Sequence, residues 1–255
     1  MKRLRPPART WAAFFVMTAI VAGLSGCSSV GKDGGMDMAY VSVPDPEAEK
    51  KPVLTAGDLR RLFPSAMGRR WTMKVTLAPA DPAEQTPANT QHSQDTAIVE
   101  KREVVKDGVR VRHAFRFGNT VHRRETYLVT KGGIYLVESG GNGDTVRLSP
   151  PMPLVKAGEP AGKRYIWEGK ITIGGQTAPA RAYGRIFEKR EVQVGGQRRD
   201  AYRADTVLSF PTRQRQEYLP STRYFAPDVG VVRQTSILFD KDKPVRLDKE
   251  LIEYE

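Results

Sequence analysis

From Gly68 to the end of the chain, apolar and polar residues alternate with a period of two. In the first such segment one face carries Trp71, Met73, Val75 and Leu77. Short glycine-containing pairs such as Asp107-Gly108 and Gly174-Gly175 separate the segments and are typical of hairpin turns. Because this alternation buries one face of an antiparallel sheet and exposes the other, the sequence predicts an all-β fold.

The alternating region also contains an internal repeat. Residues 98–104 (IVEKREV) recur as residues 186–192 (IFEKREV), with six of seven residues identical. Three weaker matches follow the same order along the chain: 68–71 with 162–165, 126–139 with 223–236, and 146–148 with 245–247. Four collinear matches predict two copies of a six-strand antiparallel unit, at about residues 68–149 and 162–255, joined by a proline-rich segment at 150–161.

Twelve strands of this kind must protect their edges. They could do so as a sandwich, a clam or a flattened barrel. Two separate small β domains are the alternative, which the short joint disfavours because each copy alone would have open edges and a thin core.

The N-terminal residues have the features of an export signal. Basic residues and no acid come first, and residues 11–22 (WAAFFVMTAIVA) then form an apolar run of about 18 Å as a helix, shorter than the ~30 Å bilayer core. Leu24, Ser25, Gly26 and Cys27 follow, and this tetrapeptide resembles the lipobox of bacterial lipoproteins. The resemblance implies cleavage between Gly26 and Cys27 and anchoring in membrane lipid through an acylated Cys27. A plain secretory signal with an incidental cysteine is the alternative.

The residues after the cysteine predict location and tethering. Ser28 and Ser29 follow it, with no Asp, so in a diderm resembling the enterics the lipoprotein resemblance implies the outer membrane, facing the periplasm. Residues 28–57 are polar and rich in Gly and Pro, which predicts a flexible tether of roughly 30 Å. The β domain is expected at 58–255, opening with a helical turn that buries Leu59, Leu62 and Phe63.

Composition limits the chemistry of the exported domain. Cys27 is the sole cysteine, so its lipidation leaves no thiol for a disulfide, for catalysis or for a metal site. Removal of residues 1–26 takes four basic residues from a net charge of +12 and leaves +8, which favours anionic partners. Export argues against nucleic acid. A basic row on one strand, formed by Arg110, Arg112 and Arg116, could meet phosphate or acidic sugar, or it could be solvated sheet surface.

Catalytic signatures are scarce. His92, His113 and His122 are the histidines, and none has an acid or a second histidine at zinc-ligand spacing. His113 lies on the apolar face of its strand and is expected to be a satisfied core residue. The chain has no serine-nucleophile elbow and no phosphate-cradling motif before a helix. We therefore expect no enzyme activity, no metal and no cofactor, although the fold could assemble paired carboxylates as in glycosidases.

The large apolar side chains suggest a function. Candidates for facing an apolar ligand are Trp71, Phe115, Phe117, Trp167 and Tyr224, which otherwise form the core. Residues 224–233 (YFAPDVGVVR) look like those of uncharacterised envelope lipoproteins, and the architecture resembles that of LolA/LolB-like lipid-handling proteins. The first hypothesis is a non-catalytic envelope lipoprotein that binds or carries a hydrophobic or amphipathic ligand. The second is a scaffold that docks an envelope protein through the basic row, and the third is a glycan or lipid hydrolase.

Overall fold

The computed structural model describes residues 53–141, 145–212, 215–240 and 243–255. The predicted signal peptide, its cleavage site at Gly26 and Cys27, and most of the predicted tether lie outside these residues. None of the helices in the described ranges is long and apolar enough to cross a membrane. A 3-10 turn at Pro82–Glu84 and the following elements are present: α1 Ala56–Leu62, β1 Arg70–Pro79, β2 Gln91–Val105, β3 Gly108–Phe117, β4 Thr120–Thr130, β5 Gly133–Gly141, β6 Thr145–Lys156, β7 Tyr165–Ile173, β8 Gln176–Val194, β9 Gln197–Pro211, β10 Gln216–Ala226, β11 Gly230–Asp240 and β12 Lys243–Tyr254.

The twelve strands form one closed antiparallel barrel. Each strand pairs with its neighbours in sequence, and β12 returns to pair with β1. Beyond that ladder, the N–H of Arg70 donates to the Glu255 carbonyl at 3.0 Å, and the N–H of Glu255 donates to the Arg70 carbonyl at 2.9 Å. Closure satisfies backbone groups that an open sheet would leave unpaired at its edges. The predicted all-β fold of twelve antiparallel strands is confirmed, and its form is the barrel.

The repeated segments occupy equivalent strands of the two halves. Residues 98–104 lie in β2 and residues 186–192 lie in β8, the second strand of each half. Pairing shifts register between Val99 and Lys101 of β2, and again between Ile186 and Lys189 of β8. Each copy of the heptad therefore coincides with a β-bulge, which inserts an extra residue and bends the strand.

The junction between the halves differs from the predicted joint. β6 continues to Lys156 and pairs with β5 through residues 152–156, so the first part of the expected joint is strand. On its other side β6 pairs with β7 up to Ser149 and, among the described residues, no further. Pro150, Pro151 and Pro153 follow. Since proline has no N–H to donate, these residues weaken the ladder at this seam.

The Tyr165 side chain bridges the seam, which is the stretch beyond Ser149 where the described residues of β6 and β7 no longer pair. The Tyr165 hydroxyl donates to the carbonyl of Leu154 at 3.1 Å and so bridges β7 and β6. The ring of Tyr165 lies over its cross-strand partner Gly184, where a Cβ would come within 2.2 Å of the ring. Gly184 therefore leaves the space that the Tyr165 ring occupies.

Helix α1 closes one end of the barrel interior. The Asp58 carboxylate accepts hydrogen bonds from the N–H of Thr55 at 2.8 Å and from the Thr55 hydroxyl at 2.6 Å, which stabilises the first turn. The expected apolar side of this helix is buried in the core, at Leu59, Leu62 and Phe63. The folded part begins earlier than predicted, because Leu54 is also buried and α1 starts at Ala56, inside the expected tether.

Replacing Gly184 by Ala tests the packing at the seam. The new methyl group would overlap the Tyr165 ring, and overpacking of this kind costs about 1–3 kcal/mol. Gly57→Ala in α1 is the matched control, because its Cβ would meet no atom closer than 3.6 Å. We expect the free energy of unfolding, measured by chemical denaturation, to fall for Gly184→Ala and not for Gly57→Ala. Equal stability of the two variants would contradict this packing.

Candidate functional site

A cavity of about 60 Å³ lies inside the barrel at the end of α1. Its aromatic wall comes from Phe63, Trp71, Phe115, Tyr127 and Phe225. Its polar wall comes from His113, Glu125, Arg223, Gln234 and Lys249. A space of this size holds a few water molecules or a small headgroup, and it is smaller than the usual pocket for a complete organic ligand.

Asp95 of β2 joins two basic side chains beside the cavity. The Nζ of Lys249 donates to Oδ2 of Asp95 at 2.8 Å, and Nε2 of His122 lies 2.9 Å from Oδ1. The side chains of Asp95 and Lys249 are 2% and 6% exposed, so the pair is shielded from solvent. Burial alone raises the pKa of Asp95, but the contacts with His122 and Lys249 outweigh it and hold that pKa well below its usual range.

Lys249 shows the opposite balance. Burial and repulsion by Arg123 lower the pKa of Lys249 to about 8, against the attraction of Asp95. The Lys249 ammonium lies 4.8 Å from the centre of the Phe115 ring, and the Arg123 guanidinium lies 4.3 Å from the same ring. The buried Lys249 and the half-buried Arg123 therefore share one aromatic side chain, which attracts both cations through its ring electrons.

Glu125 of β4 is a second, largely buried acid, with a side chain that is 13% exposed. Its Oε1 lies 3.6 Å from a guanidinium nitrogen of Arg123, and its Oε2 accepts a hydrogen bond from the hydroxyl of Tyr127. Burial raises the pKa of Glu125, but the charge of Arg123 and the hydrogen bond from Tyr127 bring it below its usual range. Among the described residues no group of three His, Cys, Asp or Glu side chains is placed to hold a metal ion.

His113 faces the same cavity with a free ring nitrogen. The side chain is buried, and its Nε2 has no hydrogen-bond partner among the described residues. Its ring stacks on Phe63 at 5.1 Å between centroids, and the rings of Trp71 and Tyr127 lie at 5.3 and 5.1 Å. Burial lowers the pKa of His113 to about 4, against the attraction of Glu125. The expectation of a core histidine is confirmed, but the expectation that its hydrogen bonds are satisfied is wrong.

Arg223 is the other cavity group without a direct partner. On β10 it lies two residues before the fully buried Phe225, which also lines the cavity, and it pairs with Gln234 of β11. No hydrogen bond or ion pair joins its guanidinium to another described side chain, although its charge acts on Glu125. A guanidinium held in a partly buried position without a counter-ion is costly, because it loses water without gaining a bond.

The structure separates the five predicted ligand-facing residues. Trp71 and Phe115 line the cavity. Trp167 is buried elsewhere in the interior, and its Nε1 has no partner among the described residues. Phe117 stacks on His122 at 4.2 Å, near the Asp95 pair. Whether any of these residues contacts a ligand stays a prediction.

Tyr224 is partly buried and packs against the core, and its role as a ligand-facing residue stays a prediction. Its neighbours Arg223 and Phe225 line the cavity and Tyr224 does not, and the Tyr224 hydroxyl accepts a hydrogen bond from Arg190 at 2.9 Å. The repeat aligns it with Tyr127, which faces inward. A register shift lies beside each of the two tyrosines.

The outer face of β3 carries the predicted basic row, Arg110, Arg112 and Arg116. Acidic side chains of β2 lie beside it. Glu103 is 3.9 Å from Arg110, and Glu100 accepts hydrogen bonds from Arg124 at 2.9 and 3.1 Å. The row is therefore part of a surface of mixed charge, and whether it docks a partner stays a prediction.

The sequence did not single out the charged residues of the interior. Asp95 lies in β2, after the polar residues Gln91 to Gln94 with which that strand begins. A usable signal was nevertheless present, because Lys249 stands between Leu247 and Leu251 at an apolar-face position of its strand. A charged residue at such a position must be buried once the strand joins a closed barrel.

Comparisons with known proteins give structural likenesses alone. No protein-family model matches the chain, and no curated protein matches it. An exported protein with a YmcC-like fold from Bacteroides fragilis is 11% identical and has a TM-score of 0.46, covering 76% of this chain and 98% of that chain. A lipoprotein from Parabacteroides distasonis is 12% identical with a TM-score of 0.39, covering 76% and 98%. The hypothetical lipoprotein YmcC from Escherichia coli is 8% identical with a TM-score of 0.38, covering 79% and 89%. Likeness at this level carries no argument about function.

Removing one member of the buried pair tests the energetics of the interior. Lys249→Met leaves the carboxylate of Asp95 buried beside His122 alone, and loss of one partner of a buried pair costs about 3–5 kcal/mol. We expect the double variant Asp95→Asn/Lys249→Met to recover most of this loss in chemical denaturation. Glu168→Ala, which breaks the exposed Glu168–Arg181 pair, is the control and should cost less than about 1 kcal/mol. Additive single-variant losses in the double variant would contradict the pairing.

His113 predicts a specific pH dependence of stability. An ordinary histidine titrates near 6.5 and buried His113 near 4, so the unfolded chain takes up this proton first as the pH falls. The folded state should therefore lose up to about 3 kcal/mol from this residue between pH 6.5 and 4. His113→Phe should remove that part of the slope in unfolding measured across this range. Parallel profiles for the wild type and the variant would show that His113 does not contribute.

Proposed function

We propose that this protein is a lipid-anchored envelope protein that binds or carries an amphipathic ligand inside its barrel without catalysing a reaction. The observation that carries this proposal is the set of charged groups buried around a cavity in a closed barrel. Apolar side chains would stabilise this interior at least as well, because the desolvation of buried ions offsets most of their attraction. Charged groups beside aromatic walls suit a ligand with a polar head and an apolar body.

The anchor rests on the N-terminal sequence. Residues 24–27 resemble a lipobox, and acylation of Cys27 would attach the chain to a membrane by at least two acyl chains. The location that follows is the cell envelope, at the outer membrane and facing the periplasm in a diderm bacterium. The stretch between Cys27 and the first described residue would let the barrel work close to the lipid surface.

A complete amphiphile needs more room than the cavity offers. The space next to the cavity is filled by α1, whose Leu59, Leu62 and Phe63 enter the core. On its exposed side α1 is held by Arg61, which contacts Asp228 at 2.6 Å. α1 is joined to the sheet by side chains and by a backbone hydrogen bond from the Asp228 N–H to the Arg61 carbonyl at 2.7 Å, and not by a strand ladder. Its displacement would therefore admit an acyl chain while the barrel stays closed.

Two observations favour binding over catalysis. Asp95 and Glu125 both have lowered pKa values, so neither is suited to give up or to take a proton near neutral pH. Both carboxylates are also already engaged by cations, Lys249 and Arg123. Docking through the basic row of β3 is the second candidate, and the acids beside that row reduce its charge.

The test compares lipids that copurify with three forms of the full chain in a nonionic detergent. Ala97→Phe fills the cavity from β2, whereas Thr96→Phe adds the same ring to the outer face of the same strand. We expect the wild type and Thr96→Phe to retain an amphiphile, detected by mass spectrometry of solvent extracts, that Ala97→Phe loses at least tenfold. All three forms carry the same N-terminal anchor, so any lipid that associates with the anchor contributes equally to each and does not affect the comparison.

Equal amounts of every lipid in the three forms would overturn the proposal. Circular dichroism and thermal unfolding would confirm that each variant folds. If Ala97→Phe fails to fold, Val231→Phe fills the same cavity from β11 and takes its place.

A further inference from the structure

Cations outnumber carboxylates among the charged residues at and beside the cavity that the structure describes. Each of the two carboxylates has a cation, since Asp95 contacts Lys249 and Glu125 contacts Arg123. Arg223 is then the cavity-lining cation without a counter-ion among the described residues. The charge of Arg223 acts on Glu125 but forms no ion pair with it, so a contact does not offset the partial burial of this third cation.

We propose that the ligand has a head with a single negative charge, a carboxylate or a phosphodiester, which Arg223 binds inside the barrel. This inference rests on the proposed function and names the chemical class of its ligand. Asp95 and Glu125 pair with Lys249 and Arg123, and one negative charge on the ligand would pair with Arg223. A guanidinium donates two parallel hydrogen bonds to the oxygens of such a group, which makes Arg suited to this role.

The neighbouring groups fit the same head. The free Nε2 of His113 and the amide of Gln234 both belong to the cavity wall and can supply a further hydrogen bond. His113 is buried to more than nine-tenths, so a ligand would satisfy an otherwise unpaired atom. Phe63, Trp71 and Phe225 supply the apolar surface on which the first part of a chain would pack.

Other headgroups fit less well. A neutral head would leave Arg223 without a counter-ion, and a cationic head would meet Arg223 and Lys249 in the same wall. A head with two negative charges would exceed the single unpaired cation and meet the carboxylate of Glu125. The charges of the cavity wall therefore favour a ligand whose headgroup carries one negative charge.

The experiment measures binding of three amphiphiles with the same chain length to the full chain in a nonionic detergent. The probes are dodecanoate, a phosphodiester with one dodecanoyl chain (lysophosphatidylglycerol), and the neutral dodecanol. Native mass spectrometry gives the dissociation constant of each, and the uncharged detergent competes with all three alike. We expect at least one acidic probe to bind about tenfold or more tightly than dodecanol, and the tighter acid identifies carboxylate or phosphodiester.

Arg223→Gln should abolish this preference. Arg233→Gln is the matched control, because it removes the same charge from an exposed position on the next strand and should leave the preference unchanged. Dodecanol binding as tightly as both acids would overturn the inference and leave the proposed function standing. Failure of all three probes to bind would count against the proposed function itself.

Persistence of the preference in Arg223→Gln would also overturn the inference. If Arg223→Gln does not fold, Arg223→Lys keeps the charge but loses the forked geometry. Its preference for the acid should then fall to an intermediate value, and an unchanged preference would show that Arg223 is not the binding group.

Discussion

The pairing of β12 with β1 is the constraint on which the rest of this protein depends. Once the first and last strands join, the sheet has no free edge, and every strand contributes alternate residues to one enclosed interior. A polar side chain at an inward position then cannot turn to solvent without breaking the ladder. Closure therefore places Lys249, which lies between two leucines of β12, inside the barrel.

The interior meets this constraint by pairing charges, both between strands that are distant in sequence and within one strand. Asp95 and Lys249 meet across 154 residues, and Glu125 is held by Arg123 and Tyr127 of its own strand. Phe115 lies beside two of the cations. Arg223 and the free nitrogen of His113 remain beside the cavity after this pairing, and they link the packing to the proposed function.

Local signals were sufficient for some elements and misleading for others. Alternation predicted the strands, and the apolar side of α1 followed from Leu59, Leu62 and Phe63. The same alternation put Tyr224 with the residues that could face a ligand, whereas its neighbours Arg223 and Phe225 are the ones that line the cavity. Asp95 was not singled out, although Ala97 and Val99 follow it on the inner face, because the residues before it in β2 are all polar.

By itself, the sequence determined the all-β class, the number and order of the strands, the capping helix and the repeat, since each depends on side-chain periodicity or turn chemistry within a few residues. It also supports the lipid anchor through residues 24–27. Only the tertiary structure decided that the sheet closes, that Asp95 meets Lys249, and that Arg223 is left without a counter-ion beside an empty space. These features depend on the combined register shifts and bulges of all twelve strands, which no local stretch of sequence specifies.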